Sequence, residues 1–192
     1  VVVVAAILRA GFCVVNINPL YTSEELGHQL KDSGAKAIFL LDNFADTLQK
    51  ALPQTPELKH IVMSKLGDLM GFKGKIVNVV LKHVKKMIPE WRIDSAVWFK
   101  QVLEDGSRLH MTPVTLTHDD LAFLQYTGGT TGVAKGAMLT HGNLIANVLH
   151  VTAWCAPIME SVDMSQQALF LQALPLYHIF GFTAGAMFAM HI

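Results

Sequence analysis

The sequence predicts an α/β fold in which mostly parallel sheets are covered by helices on both faces. Short apolar runs rich in Val, Ile and Leu alternate with helical segments over the first third of the chain. Strands that are apolar throughout are typical of parallel sheets buried between helices. The hydrophobic content of 52%, against 16% charged residues, is enough for a substantial core.

The first part of the chain, approximately residues 1–65, is predicted to be a Rossmann-like βαβ region. Gly11 follows an apolar helix, at a position where a left-handed glycine commonly ends a helix. Thr22 and Glu25 have the spacing of a capping box, and Gly34 is expected to end the helix that they begin. Buried strands are predicted at 13–17, 37–41 and 60–63, and helices at 1–10, 22–33 and 44–52.

The second part, residues 66–116, is predicted to be a connecting segment that contains a basic amphipathic helix. Apolar residues between Ile76 and Ile88 fall at helical spacing. The charged residues between positions 69 and 89 are all lysines: Lys73, Lys75, Lys82, Lys85 and Lys86. Such a helix can lie on an anionic membrane surface, so peripheral membrane contact through 73–88 is one hypothesis. An ordinary surface helix that packs on its own domain is the alternative. A short helix is expected over 96–103.

The third part, residues 117–192, is predicted to hold a phosphate loop and an acyl site. Thr117 is expected to cap a turn at 118–120, strands at 121–126 and 137–139 flank a glycine-rich stretch, and Thr140 is expected to cap a helix over 142–154. Residues 168–192 contain no Asp, Glu, Lys or Arg and have the length of a membrane helix. Pro175 in their middle favours instead a buried strand at 168–174, a loop and a buried helix.

The glycine-rich stretch runs from Tyr126 to Gly136 and reads Tyr-Thr-Gly-Gly-Thr-Thr-Gly-Val-Ala-Lys-Gly. Glycines let backbone N–H groups approach a ligand closely, and successive N–H groups in a turn form an anion site. Threonine hydroxyls and the charge of Lys135 add further donors. This composition indicates a phosphate cradle, although neither the Walker pattern nor the dinucleotide pattern fits. A glycine-rich hairpin without a ligand is the alternative.

The stretch resembles the phosphate loop of the adenylate-forming enzymes, which include acyl-CoA synthetases, luciferases and peptide-synthetase adenylation domains. Gly128 and Ala134 stand where Ser and Pro are commoner in that superfamily, and both substitutions fit its bacterial long-chain fatty acid–CoA ligases. The chain is similar to that branch at five further segments: 8–11, 18–22, 28–34, 120–126 and 173–180. The resemblance implies an internal fragment of the large N-terminal domain of such an enzyme.

The resemblance also implies which residues bind substrates. Those expected to hold the ATP phosphates are Tyr126, Thr127, Gly128, Gly129, Thr130, Thr131, Gly132, Val133, Ala134, Lys135, Gly136 and Ala137. His178 lies in a Pro-Leu-Tyr-His-Ile-Phe-Gly stretch that directly follows a predicted strand. Ligands of open parallel sheets bind beyond the carboxyl ends of strands, and in the family this histidine lies beside the acyl carboxylate and adenylate. Taken without the resemblance, a histidine in an apolar segment is usually a core residue.

The reaction that the resemblance implies is ATP-dependent activation of a long-chain fatty acid to an acyl-adenylate and then to acyl-CoA, with Mg²⁺ and coenzyme A. The family's acidic Mg²⁺ ligand, ribose-binding Asp and lid lysine are not found in this sequence. We therefore assign no catalytic residue and no metal ligand, and expect the chain alone to be inactive. Another acyl- or aryl-CoA ligase of the superfamily, or a non-catalytic nucleotide-binding or membrane-associating module, are the alternatives.

Composition argues against a nucleic-acid-binding protein and against a disulfide-rich secreted protein. The formal net charge of +0 offers no global attraction for nucleic acid. Cys13 and Cys155 are far apart and have no metal-binding spacing, which favours a reducing compartment over a disulfide scaffold. We therefore expect a cytoplasmic protein, with peripheral contact on the inner face of the cell membrane as a hypothesis. Both ends are apolar, so we expect a fragment of a longer protein.

Overall fold

The computed structural model describes residues 1–127, 134–160 and 169–191. Contacts within the chain form two compact units, one comprising Val1–Asn18 with Pro113–Ile192 and the other Pro19–Thr112. This grouping differs from the three approximate parts inferred from the sequence, because residues 1–18 group with the C-terminal segment. Each unit contains a three-stranded sheet, so the α/β class with helices and largely parallel strands is confirmed.

The sheet of the first unit has the order β1-β5-β6. Strand β1 (Val14–Asn16) pairs in parallel with β5 (Leu121–Thr127), which pairs antiparallel with β6 (Lys135–Thr140). The sequence pattern had suggested that the first three strands share one sheet, and this is wrong for β1. Its pairing partner lies more than a hundred residues further along the chain, and no local pattern encodes a contact at that separation.

The core of the first unit lies between this sheet and its helices. Phe123 is fully buried and meets the ring of Phe182 at a centroid distance of 5.2 Å. Apolar residues of helix α1 (Val2–Arg9) and of helix α6 (His141–Met159) complete the cluster. Because Ala122 and Phe123 lie in this core, packing anchors β5 ahead of the glycine-rich stretch.

The C-terminal end of the first unit departs from prediction. The strand expected at 168–174 is wrong for its described residues, since 169–174 form no regular structure and Leu169 and Leu171 are 93% and 92% exposed. No strand among the described residues pairs with this segment, and an extended segment without a neighbour gains no ladder of hydrogen bonds. A π-helical segment (Gly181–Met187) and helix α7 (Phe188–His191) follow it.

The second unit is built on a fully parallel sheet in the order β2-β3-β4. Strands β2 (Ala37–Leu41) and β3 (His60–Ser64) lie where the apolar runs predict them. The expected helix over 96–103 is instead strand β4 (Ala96–Trp98) followed by helix α5 (Phe99–Gly106). Pairing of β4 with β3 outweighs the local pattern.

Helix α2 (Ser23–Ser33) begins and ends as predicted. The Thr22 hydroxyl accepts a hydrogen bond from the Glu25 N–H, and the Glu25 carboxylate accepts one from the Thr22 N–H at 2.8 Å. Gly34 has a φ of 63°, the left-handed conformation that favours glycine. The buried face of α2 and helix α3 (Ala45–Ala51) supply apolar residues to the core of this unit.

The basic helix differs in extent from its prediction. Helix α4 covers Gly71–Val79, and a π-helical turn continues it over Val80–Val84. Gly67 approaches its first turns so closely that a Cβ on Gly74 would lie 1.9 Å from the Gly67 carbonyl oxygen. Glycine is therefore required at this crossing.

Candidate nucleotide and acyl site

Strands β5 and β6 bring the two ends of the glycine-rich stretch together. Thr127, the last residue of β5, is the register partner of Lys135, the first residue of β6, and both side chains are exposed. Ala134 is half-buried, and Ala137 is exposed on β6. Six predicted phosphate-binding residues lie outside the described residues: Gly128, Gly129, Thr130, Thr131, Gly132 and Val133. The structure thus pairs a threonine with a lysine at the two ends of the segment 128–134.

Tyr126 and Gly136 form the next pair in this ladder. The Tyr126 ring is 8% exposed and lies against Gly136, where a Cβ would be 3.0 Å from Cε2 and 3.1 Å from Cζ. A side chain at this position would press on the ring, a close approach that the sequence pattern did not show.

Gln125 is a buried polar residue of β5 that sequence analysis did not single out. Its side chain is 9% exposed and bridges three segments. Its Oε1 accepts a hydrogen bond from Asn16 Nδ2 at 3.3 Å, and its Nε2 donates to the carbonyl oxygens of Tyr126 and Tyr177, each at 3.4 Å. The only signal in the sequence was an amide side chain within an otherwise apolar predicted strand.

His178 lies in a turn between the irregular segment 169–174 and the π-helical segment. Its N–H donates to the Pro175 carbonyl at 3.1 Å, and the Phe182 N–H donates to the His178 carbonyl at 3.0 Å. Its imidazole is exposed, and Nδ1 accepts from the Phe180 N–H at 3.3 Å. A neutral imidazole that accepts at Nδ1 carries its proton on Nε2. The structure therefore leaves the ring N–H donor exposed within the described residues.

The far end of the β5–β6 hairpin is fixed by hydrogen bonds. The Asp120 carboxylate accepts from the Thr117 N–H at 2.5 Å and from its hydroxyl at 2.9 Å. These bonds, the backbone bond first, lower the pKa of Asp120. Thr117 was expected to cap this turn as an acceptor. In the structure it donates instead, and the Asp120 carboxylate is the acceptor. The His141 N–H donates to the Asp120 carbonyl at 3.0 Å and so ties the start of α6 to the start of β5.

Helix α6 begins at its predicted cap. The Thr140 hydroxyl accepts from the Asn143 N–H at 3.2 Å, and the Asn143 side chain accepts from the Thr140 N–H at 3.0 Å. This reciprocal pair uses asparagine where glutamate or glutamine is commoner. It fixes the direction in which the chain leaves β6.

The described ranges contain no group of three or more His, Cys, Asp or Glu side chains that could hold a metal ion. Nor does any helix within them combine the length and the apolar character needed to cross a membrane.

The chain belongs to the AMP-binding enzyme family, which it matches over residues 1–192. It is 48% identical to a long-chain-fatty-acid–CoA ligase of Escherichia coli O6:H1 over 182 residues, which is 94% of this chain and 32% of the relative. It is 46% identical over 187 residues to the enzyme of that name from Haemophilus influenzae, covering 97% of this chain and 33% of the relative. The chain thus spans about a third of the length of these relatives, and the family resemblance seen in the sequence is confirmed.

Solved structures support the fold. A red-emitting luciferase from Phrixothrix hirtus superposes on 95% of this chain and 30% of its own, with a TM-score of 0.61 and 15% identity. ATP-bound MatB from Rhodopseudomonas palustris covers 98% of this chain and 30% of its own, with a TM-score of 0.57 and 22% identity. At these identities the likeness concerns the fold alone.

Proposed function

We propose that the protein containing this chain activates a long-chain fatty acid with ATP, forming an acyl-adenylate and then acyl-CoA. The observation that carries the proposal is the 46–48% identity to long-chain-fatty-acid–CoA ligases across nearly the whole chain. The juxtaposition of Thr127 with Lys135 at the ends of the glycine-rich stretch supports it. In the first step a carboxylate oxygen bonds to the α-phosphorus of ATP, and pyrophosphate leaves. In the second, the sulfur of coenzyme A bonds to the acyl carbon, its proton is lost, and AMP leaves.

Charge neutralisation is the main requirement of the first step, because negative charge builds up on the leaving phosphates. We propose that the residues from Tyr126 to Ala137 bind the ATP phosphates. The Lys135 ammonium and the Thr127 hydroxyl are the described groups that could donate to phosphate oxygens. Strand pairing holds the backbone of both residues before ATP binds, so the backbone at these two positions needs little ordering on binding.

His178 is proposed to orient the acyl carboxylate. Because its Nδ1 is engaged by the Phe180 N–H, the Nε2 proton is left to donate to a carboxylate oxygen. Donation of one hydrogen bond would restrict the carboxylate to fewer orientations, which favours attack at phosphorus.

Magnesium is proposed to arrive as part of the Mg²⁺–ATP substrate. The described residues do not fit a protein-held magnesium site, since no cluster of three acidic or imidazole side chains occurs among them. No step is therefore assigned to a metal ligand of this chain. Coenzyme A is proposed as the second substrate.

The test uses the purified full-length protein with Mg²⁺–ATP and a long-chain fatty acid, and detects acyl-AMP by mass spectrometry and pyrophosphate release by a coupled assay. Lys135→Ala should slow pyrophosphate release by about 100- to 1,000-fold, as expected for loss of a charged donor to a transition state. Lys31→Ala, which removes an exposed lysine of α2, should leave the rate unchanged. Equal rates for Lys135→Ala and wild type would contradict the phosphate role.

The same assay separates the alternatives. Aryl and short-chain acids are supplied in parallel with the fatty acid. Turnover of aryl acids alone would identify a different ligase of the superfamily. ATP binding without any adenylate would indicate a non-catalytic nucleotide-binding module.

We also propose that residues 73–88 contact the inner face of the cytoplasmic membrane, which would make the protein a peripheral one. Phe72, Ile76, Val80 and Val84 recur every four residues and are 76%, 54%, 36% and 70% exposed. Residues at this spacing form one stripe along a helix. An exposed apolar stripe beside a row of lysines is what an interfacial helix presents to a membrane, and this supports the membrane hypothesis.

Charge supports the same contact. The five lysines from Lys73 to Lys86 are exposed, and no Asp or Glu occurs between Leu69 and Pro89. No ion pair within the described ranges engages these lysines. Their charge is thus available to anionic lipid headgroups, each lysine contributing about 1 kcal/mol near the surface.

Vesicles with and without phosphatidylglycerol test this contact. Replacing Lys82, Lys85 and Lys86 by Gln should weaken binding to anionic vesicles roughly 100-fold, since three contributions of about 1 kcal/mol are lost. The control replaces Lys31, Lys50 and Lys59 by Gln, which removes the same charge from elsewhere on the same unit. Equal binding of both triple variants would contradict the proposal.

A further inference from the structure

The side chain of Gln125 connects the strand that leads into the phosphate cradle with the turn that carries His178. Gln125 is two residues before the end of β5, and Tyr177 immediately precedes His178. Its Nε2 donates to the Tyr177 carbonyl across a sequence separation of 52 residues. Its Oε1 accepts from Asn16 on the neighbouring strand β1.

We propose that Gln125 is a positioning residue, which holds the His178 turn at a set distance from the end of β5 through the Tyr177 carbonyl. The inference rests on the proposed function, in which the cradle binds ATP and His178 orients the acyl carboxylate. The carboxylate must reach the α-phosphorus in line with the leaving group. An error of about 1 Å in such an alignment can lower a rate about 100-fold.

The chemistry of the amide explains why glutamine occupies this position. Carbonyl oxygens only accept hydrogen bonds, so the group that faces both Tyr126 and Tyr177 must be the NH₂. The opposite end must accept from the Asn16 amide. A carboxylate could still accept from Asn16 but could not donate to the two carbonyl oxygens. A thioether would lose both the donation and the acceptance. Only a side chain with a donor at one end and an acceptor at the other serves all three partners.

The experiment compares the full-length wild type with Gln125→Met and Gln125→Glu. Gln29→Met is the matched control, because Gln29 is also buried, at 2% exposure, but lies in α2 of the other unit. First, hydrogen exchange of the peptide covering 175–181 is measured by mass spectrometry. Loss of the hydrogen bond to Tyr177 should speed exchange there by about two- to tenfold in both Gln125 variants. Gln29→Met should leave that peptide unchanged.

Second, the single-turnover rate of acyl-adenylate formation is measured together with the Kd for ATP. The rate should fall about 10- to 100-fold in both Gln125 variants, whereas the Kd should change less than about twofold. Gln29→Met should keep the wild-type rate even if its unfolding temperature falls as far as that of Gln125→Met. A lower rate with an unchanged Kd, seen in the Gln125 variants but not in Gln29→Met, separates loss of alignment from general loss of stability.

Each outcome decides a separate point. Unchanged exchange at 175–181 in both Gln125 variants would overturn the positioning role, whether or not the protein is an enzyme of the proposed kind. Faster exchange with an unchanged adenylation rate would also overturn it. A wild type that forms no acyl-adenylate would refute the proposed function instead, and the exchange comparison would still decide whether Gln125 holds the turn.

Discussion

Gly136→Ala is expected to destabilise the protein because the new methyl group would press on a buried ring. The three atoms nearest to a Cβ at this position all belong to Tyr126, at 3.0, 3.1 and 3.5 Å. Carbon atoms prefer separations of about 3.5–4.0 Å, and the ring is only 8% exposed, so it has little room to retreat. Overpacking of this kind costs about 1–3 kcal/mol.

A smaller effect opposes this cost. Alanine restricts the unfolded chain more than glycine does, which stabilises by about 0.4–1 kcal/mol where the backbone conformation allows it. The net loss should therefore be about 1.3 kcal/mol, taking the middle of both ranges.

Gly106→Ala provides the control, since nothing lies within 4 Å of a Cβ at this last residue of α5. This variant should stabilise the protein, because alanine restricts the unfolded chain and no contact in the folded state opposes it. The two variants are compared by thermal and urea unfolding of the full-length protein, and ATP affinity is measured alongside. Because Gly136 belongs to the proposed phosphate-binding stretch, its variant should also bind ATP more weakly. A Gly136→Ala protein as stable as Gly106→Ala would show that the ring moves without cost and would refute the reasoning.

Three further changes have defined outcomes. Thr140→Ala removes the acceptor for the Asn143 N–H at the start of α6 and should lower the free energy of unfolding by about 1 kcal/mol in urea titrations; an unchanged midpoint would contradict the cap. Asp42 is 3% exposed, and burial, its largest influence, raises its pKa. Its ionised form thus destabilises the folded state above the folded-state pKa, and this penalty disappears as the pH falls towards the unfolded value of 3.8. Asp42→Asn should therefore raise the unfolding temperature at pH 7 and have a smaller effect at pH 4, whereas a lower value at pH 7 would refute this sign. His178→Ala should lower the rate of adenylate formation with an unchanged unfolding temperature, because the ring is exposed; an unchanged rate would remove His178 from the acyl site.

Features that depend on a few neighbouring residues could be predicted from the sequence. The capping box of Thr22 and Glu25, the left-handed Gly34 and the cap at Thr140 all lie where they were expected. Each depends on hydrogen bonds across three or four residues, so the local pattern contains all the information required. The positions of β2 and β3 could likewise be predicted from their own apolar runs.

The candidate site was predictable only in part, because its described contacts join distant segments. The glycine-rich stretch and the His178 turn were recognisable as motifs, and their binding roles stay predictions. Gln125, by contrast, differed from its strand neighbours only in being an amide within an apolar run. Its importance follows from hydrogen bonds to Asn16 and Tyr177, which lie 109 and 52 residues away.

The sequence by itself determined the α/β class, the family, both ends of α2 and the start of α6. Only the tertiary structure decided that β1 pairs with β5, that Ala96–Trp98 is a strand and that 169–174 is not. The physical reason is the same in each case. A strand is stabilised by hydrogen bonds to a neighbouring strand, so its existence depends on what lies beside it, whereas a helix satisfies most of its backbone within its own segment.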